Sequence, residues 1–151
     1  MIPADIKNLL EQNNLKAIEF EDGSTPTAVT AAEKLGVETG QIAKSILLKG
    51  KNSGFYLVVC AGDKRVSTAK LKTLIGTKTR MATREELFQE LSFKPGEVCP
   101  FRPERVAVFI DKSLEEFDLV YPAAGTDSSG VPVTYEKLIK MTGAGECDVT
   151  G

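Results

Sequence analysis

The sequence of 151 residues contains no histidine and no tryptophan, and only three cysteines. Without histidine, the chain cannot carry a Ser-His or Cys-His nucleophilic pair, a histidine metal site or the usual general base near neutral pH. The odd number and wide spacing of Cys60, Cys99 and Cys147 predict reduced thiols rather than a disulfide framework or a CxxC pair. Any chemistry must therefore use other side chains, backbone amides or the substrate itself.

Long apolar runs are also missing, and the first residues lack the basic and apolar blocks of a signal peptide. Apolar residues make up 42% of the chain and charged residues 26%, without a polar tract typical of disorder. We therefore expect a single domain over residues 1–151, located in the cytoplasm and not in a membrane. Neither a P-loop nor a dinucleotide-binding glycine motif is present, and we predict no cofactor and no metal ion.

The charge is unevenly distributed, although the net charge is only −2. Residues 64–84 contain seven basic residues and no acidic one, which leaves −9 for the rest of the chain. The seven are Lys64, Arg65, Lys70, Lys72, Lys78, Arg80 and Arg84. Such a segment attracts a polyanion even on an acidic protein, because the local field steers the encounter. The competing interpretation is an ordinary solvated surface.

Apolar periodicity and capping residues predict helices that alternate with short strands. We predict helices at residues 3–14, from Thr25-Pro26 to Gly36, at 67–75 with Ser67 as the cap, at 83–91 with a capping box from Thr83, and at 134–142. We predict strands at residues 15–20, 43–48, 55–61, 106–110, 119–123 and 131–133, the second and third forming a hairpin. The alternation predicts an α/β or α+β fold with a mixed sheet.

Three stretches are more specific than general composition. The first, IAKSILLKG at 42–50, places Lys44 on the more apolar face of a predicted strand. The second, FKPGEVCPF at 93–101, contains a GxxxP loop from Gly96 to Pro100. The third, YPAAGTDSSG at 121–130, is a small-residue loop before the last helix. In this order, the stretches resemble the YbaK/ProX family, which is related to the editing domain inserted in bacterial prolyl-tRNA synthetases.

This resemblance implies a fold, an activity and partners. The implied fold is a mixed sheet curled into a barrel-like core with flanking helices. The implied activity is that of a trans-acting deacylase, which hydrolyses the ester joining a wrong amino acid to the 3′ end of a tRNA. Such an enzyme is needed because one synthetase pocket cannot reject a smaller or isosteric amino acid strongly enough. The implied partners are a mischarged tRNA, first of all tRNA-Pro with a small wrong amino acid, and optionally an aminoacyl-tRNA synthetase.

The resemblance also assigns roles to residues. Lys44 becomes the predicted catalytic residue, with an electrostatic and positioning role at the terminal ribose, a phosphate or the developing oxyanion. The alternative is a lysine whose stem covers apolar surface while its ammonium group reaches solvent. The residues assigned to substrate binding are Ser45, Gly96, Val98, Cys99, Pro100, Gly125, Thr126, Asp127 and Ser128. Those assigned to tRNA contact are Lys64, Arg65, Lys70, Lys72, Lys78 and Arg80.

Several alternatives stay open at the level of sequence. The hydrolytic water could be oriented by backbone groups, by the terminal ribose hydroxyl or by the amino group of the substrate. Cys99 lacks a histidine partner, which disfavours a covalent mechanism. The loop AAGTDSSG departs from the SGGKRGLD-like loop of the cysteine-removing branch, so alanine, serine and threonine are at least as well supported as cysteine. Two other hypotheses are a non-catalytic tRNA- or synthetase-binding module and a Schiff-base enzyme built on Lys44.

Overall fold

A computed structural model describes all 151 residues and contains five α-helices and seven strands. The helices are α1 (Ala4–Gln12), α2 (Ala28–Leu35), α3 (Thr68–Ile75), α4 (Arg84–Leu91) and α5 (Tyr135–Thr142). The strands are β1 (Ile18–Glu19), β2 (Ala43–Gly50), β3 (Phe55–Ala61), β4 (Thr79–Met81), β5 (Ala107–Asp111), β6 (Ser129–Gly130) and β7 (Gly145–Cys147). The longest helix has nine residues, and no helix has the length and apolar character that crossing a bilayer requires.

Five of the strands form one mixed sheet in the order β4-β2-β3-β5-β7. β2 and β3 are antiparallel and form the predicted hairpin, with Ala43 opposite Ala61 and Lys49 opposite Phe55. β5 runs parallel to β3, and β7 runs parallel to β5. β1 and β6 form a separate antiparallel pair. The predicted mixed α/β architecture is therefore confirmed.

The sheet does not close into a barrel, so the expectation of a barrel-like core is wrong. Its edge strands β4 and β7 have three residues each and do not pair with one another. The central strand β3 is apolar on both faces. Leu57 and Val59 pack in the main core, whereas Val58 between them packs with Leu71 of α3 in a second cluster. The sheet is therefore a middle layer of the fold, and closure into a barrel would require its two short edge strands to pair, which they do not.

Helix starts follow local capping chemistry where the cap is part of the predicted pattern. The Ser67 side chain accepts a hydrogen bond from the backbone N–H of Lys70, as predicted. Thr83 and Glu86 form the predicted reciprocal capping box at the start of α4. These bonds join residues only three positions apart, so the sequence was sufficient to predict them.

The predicted start of α2 at Thr25 is wrong, because the N-cap is Thr27. The hydroxyl of Thr27 accepts from the Thr30 backbone N–H, and the Thr27 N–H donates to the Thr30 hydroxyl. Thr25 is used elsewhere: its hydroxyl accepts a hydrogen bond from the backbone N–H of Ser129, at 3.1 Å. A tertiary contact therefore decides which of two neighbouring threonines caps the helix.

The short peripheral strands differ most from the prediction. The strand predicted at 15–20 is reduced to β1, and those predicted at 119–123 and 131–133 are reduced to isolated bridges. Strands β4, β6 and β7 were not predicted at all. Three-residue strands are too short to show a recognisable alternation, and their pairing is set by the neighbouring strand.

Candidate functional site

A hollow of about 140 Å³ lies beside the first half of β2. Its wall combines this strand with the start of α2, the GxxxP loop and the segment 121–129. The residues of the wall are Thr25, Pro26, Thr27, Ala28, Ala31, Ile42, Ala43, Lys44, Ser45, Gly96, Val98, Tyr121, Ala123 and Ser129. A cavity of about 150 Å³ holds one benzene molecule. The hollow is therefore large enough for one small group but not for a nucleoside as well.

The hollow lies where β2 lacks a strand partner along one edge. On this outer edge, the Ala43 N–H donates to the Tyr121 carbonyl at 3.1 Å, and the Leu47 carbonyl accepts from the Ala82 N–H at 2.9 Å. Strand β4 pairs only with residues 48–50 of β2. Outward-facing peptide groups recur every second residue of an antiparallel strand, so Ser45 presents its N–H and C=O to the same edge. No strand lies opposite Ser45 there.

Lys44 is half-buried and its ammonium group is held in place by a neutral acceptor. The Lys44 Nζ donates a hydrogen bond of 2.7 Å to the backbone carbonyl of Lys64, in the turn after β3. The ion pairs of the structure all involve other residues, so no carboxylate offsets the Lys44 charge at short range. A positive charge fixed in this way is available to an anionic group that enters the hollow.

The GxxxP loop contributes Gly96 and Val98 to the wall of the hollow. Gly96 has φ +89°, and a Cβ added to it would meet Pro26 and Asp127 only at 3.6 Å. Glycine is therefore required here for its backbone conformation rather than for space. The loop can approach a ligand closely through its main chain.

Cys99 and Pro100 lie behind the wall rather than in it, since both are buried and neither lines the hollow. Cys99 is 1% exposed, and burial raises the pKa of its thiol to about 12. A thiol with so high a pKa carries almost no thiolate at neutral pH, and the thiolate is the nucleophilic form. The geometry gives Cys99 a packing role.

The small-residue loop is closed by its own hydrogen bonds. The Thr126 hydroxyl donates to the Ser129 hydroxyl at 2.7 Å, and the same Ser129 oxygen accepts from the Ala124 N–H at 3.0 Å. Of this loop, Tyr121, Ala123 and Ser129 line the hollow beside Lys44. The predicted residues Gly125, Thr126, Asp127 and Ser128 line a second hollow near the N-terminal residues instead.

The structure thus brings together Lys44, Ser45, Gly96 and Val98, which were all predicted as site residues. The sequence did not indicate the contribution of the segment from Thr25 to Ala31, whose threonines and proline were interpreted only as a helix start. The small side chains of Ala28 and Ala31 could have indicated this contribution, because they leave space for a ligand beside the first turns of α2. No group of three or more His, Cys, Asp and Glu side chains is arranged to hold a metal ion.

The basic segment 64–84 is partly engaged in ion pairs. Arg80 forms a bidentate pair with Glu86, with N–O distances of 2.7 and 2.9 Å. This pair, together with the capping bond from Thr83, holds the pKa of Glu86 well below its usual value. Lys70 lies 3.6 Å from Asp148. Arg80 and Lys70 are therefore less available to a polyanion than their charge suggests.

The other cations assigned to tRNA contact have no carboxylate within ion-pair distance; they are Lys64, Arg65, Lys72 and Lys78. Lys64 and Arg65 follow β3 and lie at the end of the sheet that holds the Lys44 ammonium. Lys72 and Lys78 line one shallow hollow near the opposite end of β2.

Comparison with known proteins identifies the class to which this fold and this hollow belong. Residues 22–141 match the family model described as "Aminoacyl-tRNA editing domain". The matched range contains Lys44, the GxxxP loop and the small-residue loop. The chain belongs to the aminoacyl-tRNA editing domain family, and the predicted relationship to the YbaK/ProX family is confirmed.

Individual relatives agree with this assignment. The uncharacterized protein YwhH of Bacillus subtilis (strain 168) is 36% identical over 128 residues, which are 82% of this chain and 79% of YwhH. The proline–tRNA ligase of Bacillus pumilus (strain SAFR-032) is 30% identical over 110 residues, which are 70% of this chain but only 19% of the ligase. A crystal structure described as a candidate trans-editing enzyme for prolyl tRNA synthetase has 30% identity and a TM-score of 0.87, covering 100% of this chain and 99% of that one.

Proposed function

We propose that this protein is a trans-acting deacylase that hydrolyses the ester of mischarged tRNA, specifically tRNA-Pro carrying a small wrong amino acid. The observation that carries the proposal is the shared hollow: the strand that bears Lys44 and the main chain of the GxxxP loop line the same small space. The family assignment supplies the class of substrate.

The size and lining of the hollow support a small aminoacyl group. Half of the residues in its wall are apolar, and its volume is about 140 Å³. Alanine, serine and threonine fit such a space, whereas an aromatic or long side chain does not fit together with the ester. The terminal adenosine of the tRNA therefore lies at the mouth of the hollow.

The proposed reaction is ester hydrolysis without a protein nucleophile. The oxygen of a water molecule bonds to the ester carbonyl carbon, and negative charge develops on the carbonyl oxygen. The Lys44 ammonium and the backbone N–H groups of Gly96 and Val98 stabilise this charge. The bond to the ribose oxygen then breaks, the ribose oxygen leaves with a proton from the water, and the amino acid leaves as a free acid.

The tether at Lys64 explains how Lys44 is kept ready for this step. A flexible lysine would have to be ordered during the reaction, whereas a side chain already held by a hydrogen bond of 2.7 Å needs only a small movement. Because the acceptor is a neutral carbonyl, an oxyanion competes with it favourably. The bond to Lys64 is already charge-assisted through the ammonium, and a negatively charged oxygen adds a coulombic attraction that the neutral carbonyl lacks.

A single-turnover assay on a panel of aminoacyl-tRNAs tests the proposal. tRNA-Pro carrying alanine, serine, threonine, cysteine or proline is incubated with wild type, Lys44→Ala and Lys49→Ala. We expect hydrolysis of at least one small wrong ester by the wild type, and a rate lower by about 10²–10³-fold in Lys44→Ala, as for the loss of one oxyanion donor. Lys49→Ala is the matched control, because Lys49 lies on the same strand but is paired with Glu86.

Two outcomes contradict the proposal. Equal rates in Lys44→Ala and wild type would remove Lys44 from the chemistry. Retention of tRNA without cleavage of any ester would instead support the non-catalytic tRNA- or synthetase-binding module. Circular dichroism of Lys44→Ala confirms that a lost rate does not reflect a lost fold.

A further inference from the structure

Ser45 has the only buried side-chain oxygen or nitrogen atom in the structure that lacks a hydrogen-bond partner. Ser45 is one of the residues that line the hollow, and its hydroxyl oxygen lies just beneath the surface of the wall. The neighbouring hydroxyls differ in this respect, since the oxygens of Thr25 and Ser129 both accept hydrogen bonds from backbone N–H groups. An unpaired buried hydroxyl opposes folding, and native proteins rarely keep one without a reason. The hydroxyl is therefore best explained by a ligand.

The backbone of Ser45 presents further unpaired groups at the same place. Its N–H and C=O face the outer edge of β2, in the gap between the bonds made by Ala43 and by Leu47. The residue thus offers a hydroxyl that donates and accepts, a peptide N–H that donates and a peptide C=O that accepts. The hydroxyl, the N–H and the C=O all belong to the residue that directly follows Lys44 in the chain. Such an edge binds an extended main chain in the manner of an added strand.

We infer that Ser45 is the receptor for the α-ammonium group of the aminoacyl substrate. This inference rests on the proposed function and adds to it the group that is recognised. An α-ammonium carries three N–H donors and no acceptor, and the hydroxyl and C=O of Ser45 are two acceptors for it. The Ser45 N–H remains for an acceptor on the substrate. The Lys44 ammonium is held by Lys64 and does not occupy these acceptors.

This arrangement divides recognition into two parts. The volume of the hollow limits the side chain of the amino acid, and Ser45 requires a free amino group. Esters whose nitrogen is acylated, such as peptidyl-tRNA, lack that positive charge and are excluded. A deacylase built in this way removes a wrong amino acid before it enters a peptide and spares the growing chain.

Binding of two non-hydrolysable probes tests the inference. The probes are 3′-amino-3′-deoxyadenosine carrying an alanyl or a lactoyl group in amide linkage, which differ only in an α-ammonium against an α-hydroxyl. Titration calorimetry measures the ratio of their dissociation constants. We expect the wild type to prefer the alanyl probe by about tenfold or more, the equivalent of one charge-assisted hydrogen bond. In Ser45→Ala the ratio should fall by about threefold or more, because the backbone carbonyl still accepts one bond.

Thermal unfolding provides an independent readout and a matched control. Ser45→Ala should raise the Tm by about 2–4 °C, because it removes a buried hydroxyl without a partner. Thr142→Val removes a buried, bonded hydroxyl outside the wall of the hollow, so it should lower the Tm and leave the ratio of affinities unchanged.

Four results overturn the inference: equal affinity of wild type for the two probes, no binding of either probe, a wild-type ratio in Ser45→Ala, or a lower Tm in that variant. The probes cannot be hydrolysed, so this test is separate from the proposed activity. A protein that prefers the alanyl probe but cleaves no ester would refute the deacylase proposal and leave the role of Ser45 standing.

Discussion

Asp111 provides the sharpest test of how the C-terminal residues are held against the sheet. Its carboxylate is fully buried at the end of β5. It accepts hydrogen bonds from the Val149 N–H at 2.7 Å, the Ser113 N–H at 3.0 Å and the Thr150 hydroxyl at 3.0 Å. A single side chain thus joins residues up to 39 positions apart. We expect its replacement to be strongly destabilising.

The loss of folding stability that we expect for Asp111→Asn follows from these contacts. The amide has one acceptor and one donor end, so either the Val149 N–H or the Ser113 N–H must face another donor, whereas the Thr150 hydroxyl can turn to accept. Hydrogen bonds to charged groups contribute about 1.5–3 kcal/mol each, and a buried donor without a partner adds its desolvation cost. We expect a loss of about 3 kcal/mol in the free energy of unfolding, which corresponds to a Tm lower by roughly 6–12 °C.

The effect of Asp111 depends on pH in a defined direction. Burial raises the pKa of this carboxyl, but the hydrogen bonds from Ser113, Val149 and Thr150 outweigh burial and hold the pKa below 3.8. A depressed pKa stabilises the folded state above the unfolded pKa, and this stability is lost as the pH falls through the folded pKa. The difference in stability between wild type and Asp111→Asn should therefore narrow below pH 3.8.

Urea unfolding at pH 7 and at pH 3, followed by circular dichroism, measures both effects. Asp148→Asn is the control, because its side chain is 68% exposed and pairs only with Lys70. We expect the control to change stability by no more than about 0.5 kcal/mol. Equal losses in the two variants, or a wider gap at pH 3 than at pH 7, would refute the argument from buried, charge-assisted hydrogen bonds.

The same variant should also affect the candidate active site. The Val149 carbonyl accepts from the Ser67 N–H at 2.6 Å, and this contact fixes the chain just after Lys64. The Lys64 carbonyl in turn holds the Lys44 ammonium. Loosening the C-terminal residues in Asp111→Asn should therefore lower the rate of hydrolysis more than Asp148→Asn does, measured under conditions where both variants are folded.

Two further predictions concern the thiols and the basic segment. Cys99→Ala should keep the single-turnover rate of the folded protein, and all three buried thiols should react with an aromatic disulfide reagent only on unfolding; a rate lower by orders of magnitude in a folded variant would contradict this. Replacement of both Lys72 and Lys78 by Ala should weaken tRNA binding and reduce the slope of log K against log salt by about 1–2, whereas Lys112→Ala should not. A slope equal to that of the wild type would exclude Lys72 and Lys78 from the contact.

The sequence by itself determined the features that depend on neighbouring residues and on residue types. The caps at Ser67 and Thr83 and the hairpin of β2 and β3 were predicted, because they depend on residues a few positions apart and on strong alternation. The absence of histidine limited the chemistry before any fold was known. The order of the three motifs also identified the family, because the types and order of the residues in a site can be taken directly from the sequence.

Only the tertiary structure decided what surrounds those residues. Thr27 rather than Thr25 caps α2 because Thr25 is bonded to a residue 104 positions away. The sheet is open because its edge strands β4 and β7 do not pair with one another, and strand pairing depends on the tertiary structure. The tether of Lys44 and the free edge at Ser45 result from segments that meet from distant parts of the chain. Hydrogen-bond satisfaction is a property of such three-dimensional neighbours, so a local pattern cannot show that one serine hydroxyl is left without a partner.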